Sequence, residues 1–212
     1  MGVYLQKVLD DGVQIYVWEI TESEKELFKL CSPIPNDELE DLQFIKSQAR
    51  RKEKLAIRAL LNKIFEDKVY LGHHDNGKPY LNNNPTEISI THTNRFAAII
   101  THPEKDVGID IECTTRDFSA AEKRALSEDE KEDISKKNRN KKLPIYWCAK
   151  EAIYKRLSLS NIDFQYQIQI DNFHVHDNGS FDATFIDQDG EKKEFELEYE
   201  FIEDHVMVWL VD

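Results

Sequence analysis

Val107-Gly108-Ile109-Asp110-Ile111-Glu112 reads as an interior β-strand that carries two carboxylates. Successive side chains on a strand point to opposite faces, so Asp110 and Glu112 emerge together on one face and Ile109 and Ile111 on the other. Burying two acids side by side is costly unless a cation or a hydrogen-bond network compensates. A hard divalent ion such as Mg²⁺, which takes carboxylate oxygens, would do so. A strand end with two solvated acids satisfies the same six residues, so the pattern alone does not decide between the two readings.

A second stretch, Trp147-Cys148-Ala149-Lys150-Glu151-Ala152-Ile153-Tyr154-Lys155, predicts a helix, with good helix formers and no Gly or Pro from Ile145 to Lys155. At 3.6 residues per turn Ile145, Cys148, Ala149 and Ala152 share an apolar face, and Glu151 and Lys155 share the flank beside it. Taken alone, Glu151 and Lys155 read as a surface ion pair worth a few tenths of a kcal/mol.

Together the two stretches resemble the G-x-D-x-E and W-x-x-K-E-A-x-x-K signatures of the 4′-phosphopantetheinyl transferases. Gly77-Lys78-Pro79 and Ser89-Ile90-Thr91-His92 follow the family's order upstream, so the resemblance spans roughly residues 50 to 156. It implies transfer of 4′-phosphopantetheine from coenzyme A to a serine of an apo acyl or peptidyl carrier protein, releasing adenosine 3′,5′-bisphosphate. It further implies an α+β fold of the larger group, a pseudo-dimer of two similar α+β lobes with the active site in the cleft between them. The expected lobes are residues 1–105, with the basic helix and the Gly-Lys-Pro segment, and 106–212, with the acids, the signature helix and a β-meander.

The resemblance also assigns residues. Asp110, Glu112 and Glu151 would hold Mg²⁺, or Mn²⁺ in its place; Glu151 would be the general base, and Lys155 would neutralise the leaving phosphate. Arg50 or Arg51, Lys78 with Pro79, Thr91 and His92, and Lys150 with Lys155 would meet coenzyme A. Thr91 stands where the family's motif has a second serine, which keeps a hydroxyl and adds a methyl. Two rival readings share these features: another Mg²⁺-dependent phosphoryl transferase or phosphohydrolase, and a non-catalytic module that binds coenzyme A or a carrier protein.

Composition bounds the answer independently. The 212 residues carry a net charge of −13, which disfavours nucleic acid and polyanions in general. The charge is unevenly spread, however. Residues 177–204 hold eleven acids against Lys192 and Lys193, whereas 46–68 hold eight basic residues against Glu53, Glu66 and Asp67. Exposed charges more than about 8–10 Å apart are largely screened, so a local basic patch can hold an anionic small molecule. No apolar run approaches the ~20 residues of a membrane helix, and the N-terminus shows no secretory pattern. The three cysteines, at unrelated spacings, suit reduced thiols in a cytoplasm. The expectation is a cytoplasmic monomer without membrane or nucleic-acid partners.

Along the chain, alternation predicts strands within 3–20, with Val13, Ile15 and Val17 on one face. Pro33 and Pro35 break the chain, and Asp37 with Glu40 reads as a capping pair for a helix that includes Leu39, Leu42 and Ile45. A long helix through Leu55, Ala59, Leu60 and Ile64 should carry Arg50, Arg51, Lys54 and Arg58 on its other side. Strands follow at 88–92, 96–100 and 106–112, then a helical region from Ser119 to Lys137, a basic loop over 136–142, the signature helix, and a meander turning at Asn178-Gly179 and Asp189-Gly190.

Overall fold

The alternating apolar residues of the first twenty positions do form strands. The computed structural model describes residues 2–134 and 138–212, and contacts divide the chain into two units, Met1–Glu104 and Lys105–Asp212. In the first, β1 (Val3–Val8) and β2 (Gln14–Glu19) lead into α1 (Glu24–Leu30), α2 (Asn36–Phe44) and α3 (Gln48–Ile64). The short pair β3 (Leu71–His73) and β4 (Pro79–Leu81) precedes β5 (Glu87–His92) and β6 (Phe96–His102). The main sheet has the order β1-β2-β6-β5. Leu55, Ala59 and Leu60 of α3 are buried in a core with Trp18, Leu27, Ile88 and Ile99.

Helix α1 was not expected, although its signal is in the sequence. Ser23 and Glu26 form a reciprocal capping box, in which each side chain accepts from the other's backbone N–H. The Asp37/Glu40 capping pair is corrected: Pro35 occupies the N-cap of α2 and no side chain caps it. A proline with φ fixed near the observed −56° already sets the chain's entry into the helix. Ser47 then caps α3 by accepting from the Arg50 N–H.

The second unit runs β7 (Val107–Cys113), α4 (Ser119–Ala125), α5 (Glu128–Asp133), α6 (Arg139–Leu157), β8 (Ile168–Ile170), β9 (Asn178–Ile186), β10 (Lys192–Ile202) and β11 (His205–Val211). Its sheet, β7-β11-β10-β9-β8, is antiparallel throughout. Ile145, Cys148, Ala149, Ala152 and Ile153 of α6 pack in one cluster with Val206, Val208 and Leu210 of β11. In both units the last strand pairs antiparallel with the strand that precedes the helices, β6 with β2 and β11 with β7.

Three local expectations change. The helical region is split into α4 and α5 by the Ser127–Glu130 capping box, and its end at 135–137 lies outside the described residues, as does the start of the basic loop. Arg139 to Lys142 are helical, and Pro144 sits inside α6, where the proline lacks one N–H without ending the helix. Asn178-Gly179 begins β9, because Gly179 pairs with Tyr199, while Gly190 (φ 84°) does form a turn.

Gly108 is fixed by packing. A Cβ there would lie 2.1 Å from the backbone oxygen of Ala152, so only glycine lets β7 approach α6 this closely. Gly108→Ala must push strand and helix apart. The expected cost is about 3 kcal/mol, at the upper end for overpacking because the clash is with backbone. Thermal unfolding checks it: a melting temperature equal to that of wild type would contradict the packing.

Candidate active site

The close approach at Gly108 sets the face of β7 that meets α6. Gly108, Asp110 and Glu112 alternate onto that face. Opposite them, Trp147, Glu151 and Lys155 recur every fourth residue and form one stripe along α6. The Trp147 indole N–H donates to Glu112 Oε1 at 3.0 Å, and the Lys155 ammonium donates to Asp110 Oδ1 at 2.8 Å and to the Ile109 carbonyl at 3.0 Å. The later helix residue thus meets the earlier strand residue, so helix and strand run antiparallel. Glu151 falls between the two contacts.

Burial pushes the Glu151 carboxyl up to about 7. The nearby charge of Asp110 adds to this, Lys155 opposes it, and Glu112 contributes further. Asp110 and Glu112 therefore both act on Glu151 electrostatically. The Cys148 thiol, buried behind them, is also raised, by burial first and then by Asp110 and Glu112.

Arg116, to which the sequence reading gave no role, pairs with Glu112. Its guanidinium lies 5.3 Å from the Phe118 ring centroid and 5.9 Å from that of Trp147. The signal available in the sequence was a cation four residues beyond Glu112. Lys155 and Arg116 thus supply the countercharge for Asp110 and Glu112 in this structure.

Three carboxylates on adjoining elements, one of them raised to about 7 by burial and by the charges of the other two, make a donor set of hard oxygens suited to a divalent ion such as Mg²⁺. A bound cation would reverse the electrostatic pressure on Glu151. Holding it with all three acids requires the Lys155 and Arg116 pairings to rearrange. Among the described residues, the potential ligand atoms already within 4.8 Å of one another belong instead to Cys113, Asp204 and His205.

Lys150 is corrected. It was expected to meet coenzyme A but is fully buried, and its ammonium donates to the Phe164 and Ile168 carbonyls at 2.8 and 2.6 Å and pairs with buried Glu130 at 2.9 Å. Within the signature helix it faces away from the Trp147-Glu151-Lys155 stripe, where it ties α6 to α5 and to the start of β8.

In the first unit the structure separates Arg50 from Arg51. Arg50 approaches His92, 42 residues away, and both contact buried Glu53, at 3.0 Å from Arg50 and 3.3 Å from His92 Nδ1. Arg51 is engaged elsewhere, with Glu24 through Nε at 2.6 Å and Nη2 at 3.1 Å and with the Ile45 and Lys46 carbonyls. Arg58, read as part of an outward basic side, is buried with Glu38 and the Val69 carbonyl. Lys78 pairs with Glu87 at 3.2 Å, and Pro79 begins β4. Thr91 is buried and alternates away from His92, so the half-buried histidine is the more accessible end of that motif.

No helix among the described residues is long and apolar enough to cross a membrane, and the three cysteines are unpaired, with Cys31 and Cys148 buried. No curated protein matches the chain. Residues 106–209 match the family model described as the 4′-phosphopantetheinyl transferase superfamily, a span that takes in β7, Arg116 and the whole of α6. That match makes the second unit, which carries Asp110, Glu112 and Glu151, similar to the 4′-phosphopantetheinyl transferase superfamily.

Proposed function

We propose that this protein transfers 4′-phosphopantetheine from coenzyme A to a serine hydroxyl of an apo acyl or peptidyl carrier protein. The observation that carries the reading is the pairing of the acid strand with the Trp147-Glu151-Lys155 stripe inside the segment matched by the superfamily. In this reading the chain belongs to the two-lobed group and acts as a monomer in the cytoplasm.

Asp110, Glu112 and Glu151 would hold Mg²⁺, which would neutralise charge on the coenzyme A pyrophosphate. The serine oxygen attacks the phosphorus that carries the pantetheine, and the bond to the bridging oxygen breaks, releasing adenosine 3′,5′-bisphosphate. Glu151 takes the serine proton; burial and the neighbouring acids raise its carboxyl to about 7 in the metal-free chain, a shift that bound Mg²⁺ would oppose. Lys155 offers its ammonium to the departing phosphate oxygen. Arg50 and His92, already side by side on Glu53, bind a phosphate of the nucleotide, with Lys78 as a further cation.

Asp110→Ala tests the reading. It should abolish transfer at saturating Mg²⁺ and leave the protein folded, because it removes one donor and relieves repulsion on Glu151. Activity within a few-fold of wild type would sink the metal assignment. Arg50→Ala and His92→Ala should instead raise the KM for coenzyme A more than they lower kcat, since they act away from the breaking bond. A loss confined to kcat would remove them from nucleotide binding.

A further inference from the structure

At the far end of β7 a second group of potential metal ligands lies on the opposite face of the strand from Asp110 and Glu112. Cys113 and His205 are directly paired across β7 and β11, so their side chains leave the sheet on the same side. Asp204, in the turn between β10 and β11, places Oδ1 2.9 Å from His205 Nδ1 and Oδ2 3.8 Å from Cys113 Sγ. One potential ligand atom from each residue lies within 4.8 Å of the others. The Thr115 hydroxyl is 3.1 Å from the same sulfur.

We infer that Cys113, Asp204 and His205 form a binding site for a borderline-soft divalent ion such as Zn²⁺, separate from the three acids. The ligand chemistry selects the ion: one thiolate, one imidazole and one carboxylate suit Zn²⁺, whereas Mg²⁺ and Ca²⁺ take oxygen alone. The spacing comes close. A tetrahedral Zn²⁺ with sulfur at about 2.3 Å and nitrogen and oxygen at about 2.0–2.2 Å separates its ligand atoms by roughly 3.4–3.6 Å. The two approaches use different oxygens of Asp204, Oδ2 towards Sγ at 3.8 Å and Oδ1 towards Nδ1 at 2.9 Å; with one ligand atom from each residue within 4.8 Å of the others, closing on an ion needs shifts of about an ångström.

The site is also held in place. The backbone pairing fixes Cys113 and His205, and the His205 ring is buried. The Asp204 carbonyl accepts from both the Thr114 N–H at 2.8 Å and the Thr114 hydroxyl at 3.0 Å, which locks the turn to the exit of β7. Three protein ligands leave a fourth position for water, the pattern of an accessible zinc site rather than a closed structural one. An ion here would clamp the end of the strand on which Glu112 sits.

The test uses the full chain, stripped with a chelator and held in excess Mg²⁺, with Co²⁺ as a spectroscopic stand-in for Zn²⁺. Wild type should bind Co²⁺ with a sulfur-to-metal charge-transfer band. Cys113→Ser should abolish that band, Asp110→Ala should keep it, and Asp204→Asn, at a half-exposed side chain, should weaken binding tenfold or more. Because Cys31 and Cys148 are buried, a thiol reagent reports on Cys113, and Zn²⁺ should slow its reaction at least tenfold. A wild-type chain without the band at saturating Co²⁺, a band that survives Cys113→Ser, or a thiol reaction rate unchanged by Zn²⁺ would overturn the site.

Discussion

Glu151→Gln is expected to lower kcat by ~10²–10⁴, the range for loss of a general base, and at the same time to stabilise the metal-free protein. Both effects have one origin. Burial and the neighbouring acids raise the Glu151 carboxyl from 4.5 to about 7 in the folded chain. A carboxyl raised on folding contributes stability that is fully present below the unfolded pKa and is lost as pH rises through the folded one. Between about pH 4.5 and 7 the metal-free wild type should therefore lose on the order of 3 kcal/mol through this residue. The glutamine variant lacks that loss, so it should melt at a higher temperature than wild type at pH 8 and at nearly the same temperature at pH 5. A melting difference independent of pH would contradict the burial. A rate fully restored by excess Mg²⁺ would leave Glu151 a ligand and remove it from proton transfer.

The largest effect on stability should come from Glu130, which lies outside the catalytic stripe. Glu130→Ala strands the fully buried Lys150 ammonium, whose pKa burial already lowers and Glu130 raises. It also removes the acceptor for the Ile170 N–H and half of the α5 capping box. Breaking a buried pair from one side costs about 3–5 kcal/mol, a fall in melting temperature on the order of 10 °C. Replacing both partners, Glu130→Gln with Lys150→Met, should recover much of it, because no charge is then left buried alone. A fall no larger than that of an ordinary surface substitution would show that the pair is not buried in solution. The double variant should also keep the wild-type KM for coenzyme A, since Lys150 serves the fold.

The elements that the sequence made legible are those whose pattern is local. Period-two alternation marked β5 and β7, the apolar run Phe96–Ile100 marked β6, and the apolar face of Ile145, Cys148, Ala149 and Ala152 marked α6, all four of them fully buried. Helix α1 was equally local and was missed because Ser23 and Glu26 were not read as a capping box. What could not be read is set by contacts distant in sequence. Nothing local to Arg50 and Arg51 tells which one faces a histidine 42 residues away and which one turns to Glu24. Lys150 sits in a signature beside Glu151, yet helical rotation by one residue, 100°, carries it into the core, where Glu130, the carbonyls of Phe164 and Ile168, and the charge of Asp163 compensate a buried ammonium. Which strands pair within each unit, β6 with β2 and β11 with β7, was not legible for the same reason: the partners are distant in sequence.

Mass spectrometry of an apo carrier protein incubated with this protein, coenzyme A and Mg²⁺ reads out the transfer itself. The expected result is a mass increase of one phosphopantetheinyl group on the carrier serine, with adenosine 3′,5′-bisphosphate formed in equal amount and no reaction by Asp110→Ala. Hydrolysis of coenzyme A with no carrier modified across a panel of acyl and peptidyl carriers, or tight binding of both partners without turnover, would contradict it.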